Sequence, residues 1–134
     1  MKLPMQVDLK DKVAVVTGAG GVICSVMAEA LAMSGAKVAL LDLNEEAAQK
    51  SADAIVEKGF VAKGYKCNVL EKESIEAARD AIAADFGTCD ILVNGAGGNN
   101  PKASTDDEYF KPEDSGEMKT FFDLDPSGVQ FVFS

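Results

Sequence analysis

Short, mainly apolar runs alternate with amphipathic stretches over the first 94 residues of the chain. Runs that are apolar throughout are typical of strands buried on both faces of a parallel sheet. Stretches with apolar residues three and four positions apart are typical of helices that cover such a sheet. The pattern predicts strands at residues 13–16, 37–42, 60–67 and 90–94, and helices at residues 22–34, 45–56 and 72–85.

Residues that begin and end helices support this alternation. Asn44 is a predicted N-cap for the second helix, and Gly35 is a predicted left-handed residue after the first. The alternation predicts an α/β fold, a doubly wound parallel sheet with right-handed crossovers, truncated after about four strands. We expect residues 1–134 to form a single, partial domain.

The alternation breaks over residues 99–123, which are polar and acidic and contain Pro101 and Pro112. A segment of this length predicts an acidic loop or functional insertion rather than an ordinary connection. Between residues 102 and 125, eight acidic residues and three lysines carry −5 of the net charge of −9. Asp125 and Pro126 then predict a new helix, with the aspartate as N-cap and the proline at the first helical position.

Composition narrows the classes of function. A net charge of −9 argues against nucleic-acid binding, because phosphate backbones would be repelled. No apolar run is long enough to span a membrane, and residues 1–11 lack the apolar core of a signal peptide, so we expect a cytoplasmic protein without membrane attachment. The sequence has no histidine, and Cys24, Cys67 and Cys89 are scattered, so we expect neither a metal site nor a disulfide framework.

The first strand passes into the first helix through a glycine-rich turn, Thr17-Gly18-Ala19-Gly20-Gly21. Glycine lets the backbone turn sharply and approach a ligand closely. The N–H groups at the start of the helix then favour an anion such as pyrophosphate. A tight turn with no ligand is the alternative explanation.

Asp42 ends the second strand, 24 positions after Gly18. A carboxylate at this point can accept hydrogen bonds from both ribose hydroxyls of an adenosine. It would also repel a 2′-phosphate, so the residue favours NAD over NADP. The alternative is a solvated strand end with no ligand.

Together these motifs resemble the short-chain dehydrogenase/reductase family, in order and over essentially the whole sequence. The family has Thr-Gly and further spaced glycines, an acidic or basic residue after strand two, Asp-Val after strand three, and Asn-Asn-Ala-Gly after strand four. The matching positions are Thr17-Gly18, Asp42, Asn68-Val69 and Asn94-Gly95-Ala96-Gly97. The resemblance implies a Rossmann-type fold with strand order 3-2-1-4 and an NAD-dependent oxidoreductase.

Three phrases are similar to a narrower branch of the family, the enzymes described as D-mannonate oxidoreductases or fructuronate reductases. They are Gly-Gly-Val-Ile-Cys-Ser, Gly-Ala-Gly-Gly-Asn-Asn-Pro-Lys-Ala and Phe-Phe-Asp-Leu-Asp. This similarity implies hydride transfer between NAD and a secondary alcohol or ketone, with a sugar acid as the small-molecule substrate of the full enzyme. Residues 99–109 could then lie over the active site.

The resemblance also implies which residues contact the cofactor. The glycines of the turn would hold the pyrophosphate, Asp42 the adenosine ribose, and Asn68 and Val69 the adenine. Residues after strand four would line the cofactor path. The full expected set is Gly18, Gly20, Gly21, Val22, Ile23, Asp42, Leu43, Asn68, Val69, Asn94, Ala96 and Gly97.

Several positions depart from the family pattern. Val22 and Cys24 stand where the family has its second and third glycines, and Val22 adds bulk near the expected pyrophosphate. We expect Cys24 to pack beneath the turn. Asn68 replaces the usual aspartate and can still form hydrogen bonds with adenine. Gly95 replaces the second asparagine, and Asn94 is as well explained by a structural role as by ligand binding.

The family's catalytic base is the tyrosine of a Tyr-x-x-x-Lys motif, which takes the proton of the alcohol. Neither tyrosine of this protein fits, since Tyr65 is followed four positions later by Val69 and Tyr109 by Glu113. We therefore expect the catalytic residues beyond Ser134 and expect these 134 residues alone to be catalytically incompetent.

Two other interpretations stay open: a half-domain that binds adenine nucleotides without redox chemistry, and a truncated gene product. The implied strand order also leaves residues 91–93 as an apolar edge of the sheet. Such an edge favours pairing with another polypeptide, so we expect self-association.

Overall fold

The computed structural model describes residues 7–109, 111 and 118–133. The protein forms two compact units, Met1–Ala96 and Gly97–Ser134. The expectation of a single domain over residues 1–134 stays a prediction. Two segments discussed above lie partly outside the described residues. One is the N-terminus, in which no signal peptide was expected. The other is the acidic loop, of which the residues outside include Pro112, Glu113, Asp114 and Glu117.

The first unit alternates strands and helices as predicted. Its four strands are β1 (Val13–Thr17), β2 (Lys37–Asp42), β3 (Ala62–Lys66) and β4 (Ile91–Val93), and its helices are α1 (Val22–Met33), α2 (Glu45–Val56) and α3 (Lys72–Asp85). The strands are parallel in the order β3-β2-β1-β4. The predicted α/β Rossmann-type sheet and the strand order implied by the family resemblance are therefore confirmed.

Helices α1 and α2 cover one face of the sheet through small residues. Val16 and Leu40, both fully buried, lie in one cluster with alanines of the two helices. Alanine has no bulk beyond Cβ, so the helix axes can approach the sheet closely. The buried cluster consists of Ala14, Val16, Ala19, Ala28, Ala32, Ala36, Val38, Leu40, Ala48, Ala52 and Ile55.

The same packing decides which side of α1 meets the solvent. Sequence periodicity places Val22 and Val26 on one face with Ile23 and Met27 beside it, but all four side chains are exposed. The buried residues of α1 are Ala28 and Ala32.

The opposite face of the sheet is covered by α3. Ala78 and Ile82 are buried there among strand residues, in a cluster that comprises Val13, Val15, Ala39, Leu41, Tyr65, Cys67, Ala78 and Ile82. Ile75 lies on the same side of α3, as expected, but it is 45% exposed. It borders an apolar groove of about 640 Å³ between α3 and the face of β1 and β4.

A polar triad joins β3 to the end of α3. The Asp85 carboxylate accepts hydrogen bonds from Lys63 Nζ at 2.6 Å and from the Tyr65 hydroxyl at 2.8 Å. The Lys63 ammonium and the Tyr65 hydroxyl hold the pKa of Asp85 below its usual range. Burial, followed by the hydrogen bond to Asp85, raises the pKa of Tyr65 far above its usual range.

Within the described residues, the second unit has short 3-10 turns at Pro101–Ala103 and at Phe121–Asp123, followed by the helix α4 (Pro126–Phe133). Asp125 Oδ1 accepts a hydrogen bond from Ser127 N at 2.8 Å, which confirms the predicted helix start. Gly128 is buried against the first 3-10 turn, and a Cβ there would lie 2.6 Å from Lys102 Cβ. No helix in the described part of the protein is long and apolar enough to cross a membrane.

Candidate cofactor-binding site

The turn between β1 and α1 is tight and held by backbone hydrogen bonds. Ala19 N donates to Leu41 O at 3.0 Å, and Gly21 N donates to Gly18 O at 3.1 Å. Gly18 has a φ of +68°, where a side chain is strained. A Cβ at Gly18 would also lie 2.9 Å from Gly95 O, so glycine is required here for both reasons.

Within the described part of the protein, no side chain satisfies the first N–H groups of helix α1. Its N-cap is Gly21, and its first turn contains no acidic residue. The first N–H groups of a helix have no partner within the helix, so those of Val22, Ile23 and Cys24 are available to an anion. Helix α2 differs, because the Asn44 side chain accepts from Ala47 N at 3.2 Å and two glutamates occupy its first turn.

The Asp42 carboxylate is fixed beside this turn by two backbone donors. Its Oδ2 accepts from Gly20 N at 3.0 Å, and its Oδ1 accepts from Asn44 N at 3.0 Å. A Cβ at Gly20 would lie 3.0 Å from that carboxylate and 2.8 Å from Ala47 Cβ. The absence of a side chain at Gly20 therefore lets the turn approach Asp42.

Asn68 lies two residues after the end of β3, and its side chain forms hydrogen bonds within the segment that leads into α3. Its Nδ2 donates to Glu71 Oε1 at 2.9 Å, and its Oδ1 accepts from Leu70 N at 3.1 Å. The amide carries two hydrogens on Nδ2, so one of them is not used by Glu71. Val69 beside it is partly exposed.

The segment after β4 is tied to the end of β1 by a hydroxyl. Thr17 Oγ1 accepts from Gly95 N and from Ala96 N, both at 3.0 Å. The motif Thr17-Gly18 was noticed in the sequence, but this role of the threonine was missed, because its partners are 78 and 79 residues away. Asn94 is exposed and borders the apolar groove.

The carboxyl ends of four parallel strands thus lie at one edge of the sheet. They bring together the predicted positions at Gly18, Gly20, Asp42, Asn68 and Asn94. The apolar side chains Val22, Ile23 and Leu43 are exposed at that edge, by 84%, 71% and 65%. The last predicted position, Gly97, is the first residue of the second unit. No cluster of three or more metal-ligating cysteine, aspartate or glutamate side chains occurs within the described residues.

The fold and this edge define the first unit as an α/β domain of the dinucleotide-binding class, since a glycine turn, a helix N-terminus and an acidic residue after β2 meet there. The family model described as short chain dehydrogenase matches residues 12–125. The protein belongs to the short-chain dehydrogenase family.

Individual relatives agree with this assignment. A protein of Haemophilus influenzae described as an uncharacterized oxidoreductase is 54% identical over 134 residues, which are 100% of this chain and 47% of that protein. The uncharacterized oxidoreductase UxuB of Bacillus subtilis is 43% identical over 132 residues, 98% of this chain and 47% of its own length. The chain spans about half the length of these relatives.

A solved structure is also similar. It is described as a candidate D-mannonate oxidoreductase of Haemophilus influenzae with bound NAD, and the similarity covers 95% of this chain and 45% of that one. The sequence identity is 56% and the TM-score is 0.88.

Proposed function

We propose that the chain is the N-terminal, cofactor-binding part of an NAD-dependent short-chain oxidoreductase. The parent enzyme moves hydride between NAD and a secondary alcohol or ketone. The observation that carries this proposal is the Asp42 carboxylate, which two backbone N–H groups hold beside the start of α1, where further N–H groups are available to an anion.

In this proposal, different parts of the site contact different parts of the cofactor. The glycine turn and the first N–H groups of α1 hold the pyrophosphate, and Asp42 holds the adenosine ribose. The adenine lies against the residues after β2 and β3, and the nicotinamide end follows α1 and the segment after β4. The proposed contacts are Gly18, Gly20, Gly21, Val22, Ile23, Asp42, Leu43, Asn68, Val69, Asn94, Ala96 and Gly97.

The preference for NAD over NADP follows from how Asp42 is held. Each carboxylate oxygen already accepts a backbone hydrogen bond at 3.0 Å, so the side chain cannot rotate away without losing both. A 2′-phosphate would therefore meet a fixed negative charge, and like charges at a few ångströms repel strongly in a partly buried site.

We propose a sugar acid of the D-mannonate or fructuronate type as the substrate of the parent enzyme. The support is the similar protein described as a candidate D-mannonate oxidoreductase. The 134 residues contain no Tyr-x-x-x-Lys motif, so the proton transfer belongs to another part of the longer protein.

Titration calorimetry of the chain with NAD, NADP and ADP tests the cofactor proposal. We expect NAD to bind at least about tenfold more tightly than NADP, since a close like-charge contact costs on the order of 1–2 kcal/mol. The control variant Asp53→Asn removes an equal charge from the exposed Asp53 on α2 and should keep this preference for NAD. Equal affinity for NAD and ADP would favour the alternative, a half-domain that binds adenine nucleotides without redox chemistry.

We also propose that the protein self-associates through the open edge of its sheet. Among the described residues β4 pairs only with β1, and Leu92 on β4 is 57% exposed beside the apolar groove. An unpaired strand edge next to an apolar surface favours association. Light scattering at high concentration should show oligomers that Leu92→Lys reduces, whereas a monodisperse monomer would contradict the proposal.

A further inference from the structure

We propose that Cys24 is a positioning residue for the dinucleotide. Its thiol occupies the space that Gly95 leaves open, and it thereby sets the separation between the start of α1 and the segment after β4. This inference rests on the proposed function, because it concerns the same cofactor site.

The contact between the two residues is direct. Cys24 Sγ donates to Gly95 O at 3.8 Å, across 71 residues of sequence. A Cβ at Gly95 would overlap Cys24 Sγ and would lie 2.8 Å from Thr17 O. No side chain can therefore be added at Gly95 unless the helix or the segment moves.

The arrangement replaces a general feature of dinucleotide-binding folds. In those folds a glycine in the first helix allows close packing of the helix against the strands. Here the helix carries Cys24 at that position, and the missing side chain is on the other partner, Gly95. The start of α1 and the segment after β4 are then in contact through the Cys24 sulfur atom rather than through backbone atoms alone.

Gly95 contacts Cys24, Gly18 and Thr17, so the position of the Cys24 thiol affects the rest of the site through Gly95. Its carbonyl oxygen accepts from Cys24 and lies next to Gly18, where a Cβ would be only 2.9 Å away. Its N–H donates to Thr17 Oγ1 at 3.0 Å. A shift of Gly95 would therefore disturb the glycine turn and the start of α1, where Cys24 N is one of the N–H groups proposed for the pyrophosphate.

A double-mutant cycle tests the inference. The variants are Gly95→Ala, Cys24→Ala and the double variant. Cys89→Ala is the control, because the exposed Cys89 thiol has one hydrogen bond within the described residues, to Ile91 O at 3.3 Å. Removal of Sγ in the double variant leaves the Cβ of residue 24 and the new Cβ at residue 95 about 3.6 Å apart, which is an ordinary contact. The clash with Thr17 O is common to both Gly95 variants and cancels in the cycle.

Two readouts separate positioning from general loss of structure. Affinity for NAD is measured by calorimetry, and affinity for adenosine, which lacks the pyrophosphate and the nicotinamide, is measured by NMR titration. We expect Gly95→Ala to lower the affinity for NAD at least about tenfold. Adding Cys24→Ala to that variant should raise the affinity again by about fivefold or more, as is typical of residues in contact. Adenosine affinity should change less than about threefold in every variant, since adenosine lies on the Asp42 side of the site.

Each result has a distinct meaning. If the unaltered protein fails to bind NAD, the proposed function is overturned and the inference falls with it. If the unaltered protein binds NAD but the double variant is no better than Gly95→Ala, the proposed function stands and the positioning role of Cys24 is overturned. A parallel loss of affinity for adenosine and for NAD in Gly95→Ala would also overturn it, because the defect would then be general unfolding.

Discussion

Replacement of Asp42 by asparagine is a sharp test of how the site is held together. The two side chains have nearly the same shape, but an amide has one acceptor oxygen and one donor nitrogen. Both carboxylate oxygens of Asp42 face backbone donors, Gly20 N and Asn44 N, each at 3.0 Å. Whichever way the amide turns, one N–H group of the backbone faces an NH₂ group instead of an oxygen.

The expected cost follows from that mismatch. Hydrogen bonds to charged groups contribute about 1.5–3 kcal/mol, and the lower end applies because Asp42 is only partly buried. We therefore expect the free energy of unfolding to fall by about 1–2 kcal/mol. For a domain of this size the melting temperature should fall by about 4–7 °C. NAD affinity should fall about tenfold, because bonds from the ribose to a neutral oxygen are weaker than bonds to a carboxylate.

Thermal denaturation followed by circular dichroism, with and without NAD, measures both effects. Asp53→Asn is the matched control, since Asp53 is exposed and its carboxylate accepts from the Gln49 side chain. The reasoning is refuted if Asp42→Asn and Asp53→Asn melt within about 1 °C of each other and bind NAD equally.

Two further predictions concern stability. Because the folded state raises the pKa of Tyr65, its phenol contributes stability that is fully present below the ordinary pKa of about 10 and is lost as the pH rises above it. The melting temperature of the unaltered protein should therefore fall more steeply between pH 9 and 11 than that of Tyr65→Phe, and parallel curves would contradict this. Leu40→Ala should lower the free energy of unfolding by about 2–5 kcal/mol in urea denaturation, because Leu40 is fully buried. Leu70→Ala, at a side chain that is 67% exposed, should cost less than about 1 kcal/mol, and equal losses would refute the assignment of the core.

Much of the fold could be predicted because its signals are local. Continuous apolar runs marked β1, β2 and β4, and the predicted helix at residues 72–85 matches α3 (Lys72–Asp85). Burial was harder to predict on α1, where the apolar stripe of Val22 and Val26 competes with a stripe of alanines. The alanines are buried because they let the helix approach the sheet, and periodicity does not show how closely two elements approach.

The site was predictable in composition but not in its contacts. The sequence placed Asp42 at the end of β2 and the glycines before α1, which is where the structure has them. The bonds that fix the site join distant parts of the protein: Thr17 contacts Gly95, and Cys24 contacts the same residue. Such pairs leave no local pattern, since each partner looks like an ordinary turn residue by itself.

The position of β4 in the sheet also has a consequence for biosynthesis. β1 pairs with β2 in a register that joins Val13 to Lys37, whereas Asp90, which accepts from Val13 N, is 77 residues away. At about 5–20 residues per second, a ribosome needs about 4–15 s to add that intervening stretch. During this interval the edge of β1 that pairs with β4 in the folded protein is unpaired. A nascent polypeptide of this sequence is therefore most exposed to aggregation, and most in need of a chaperone, before residue 90 has emerged.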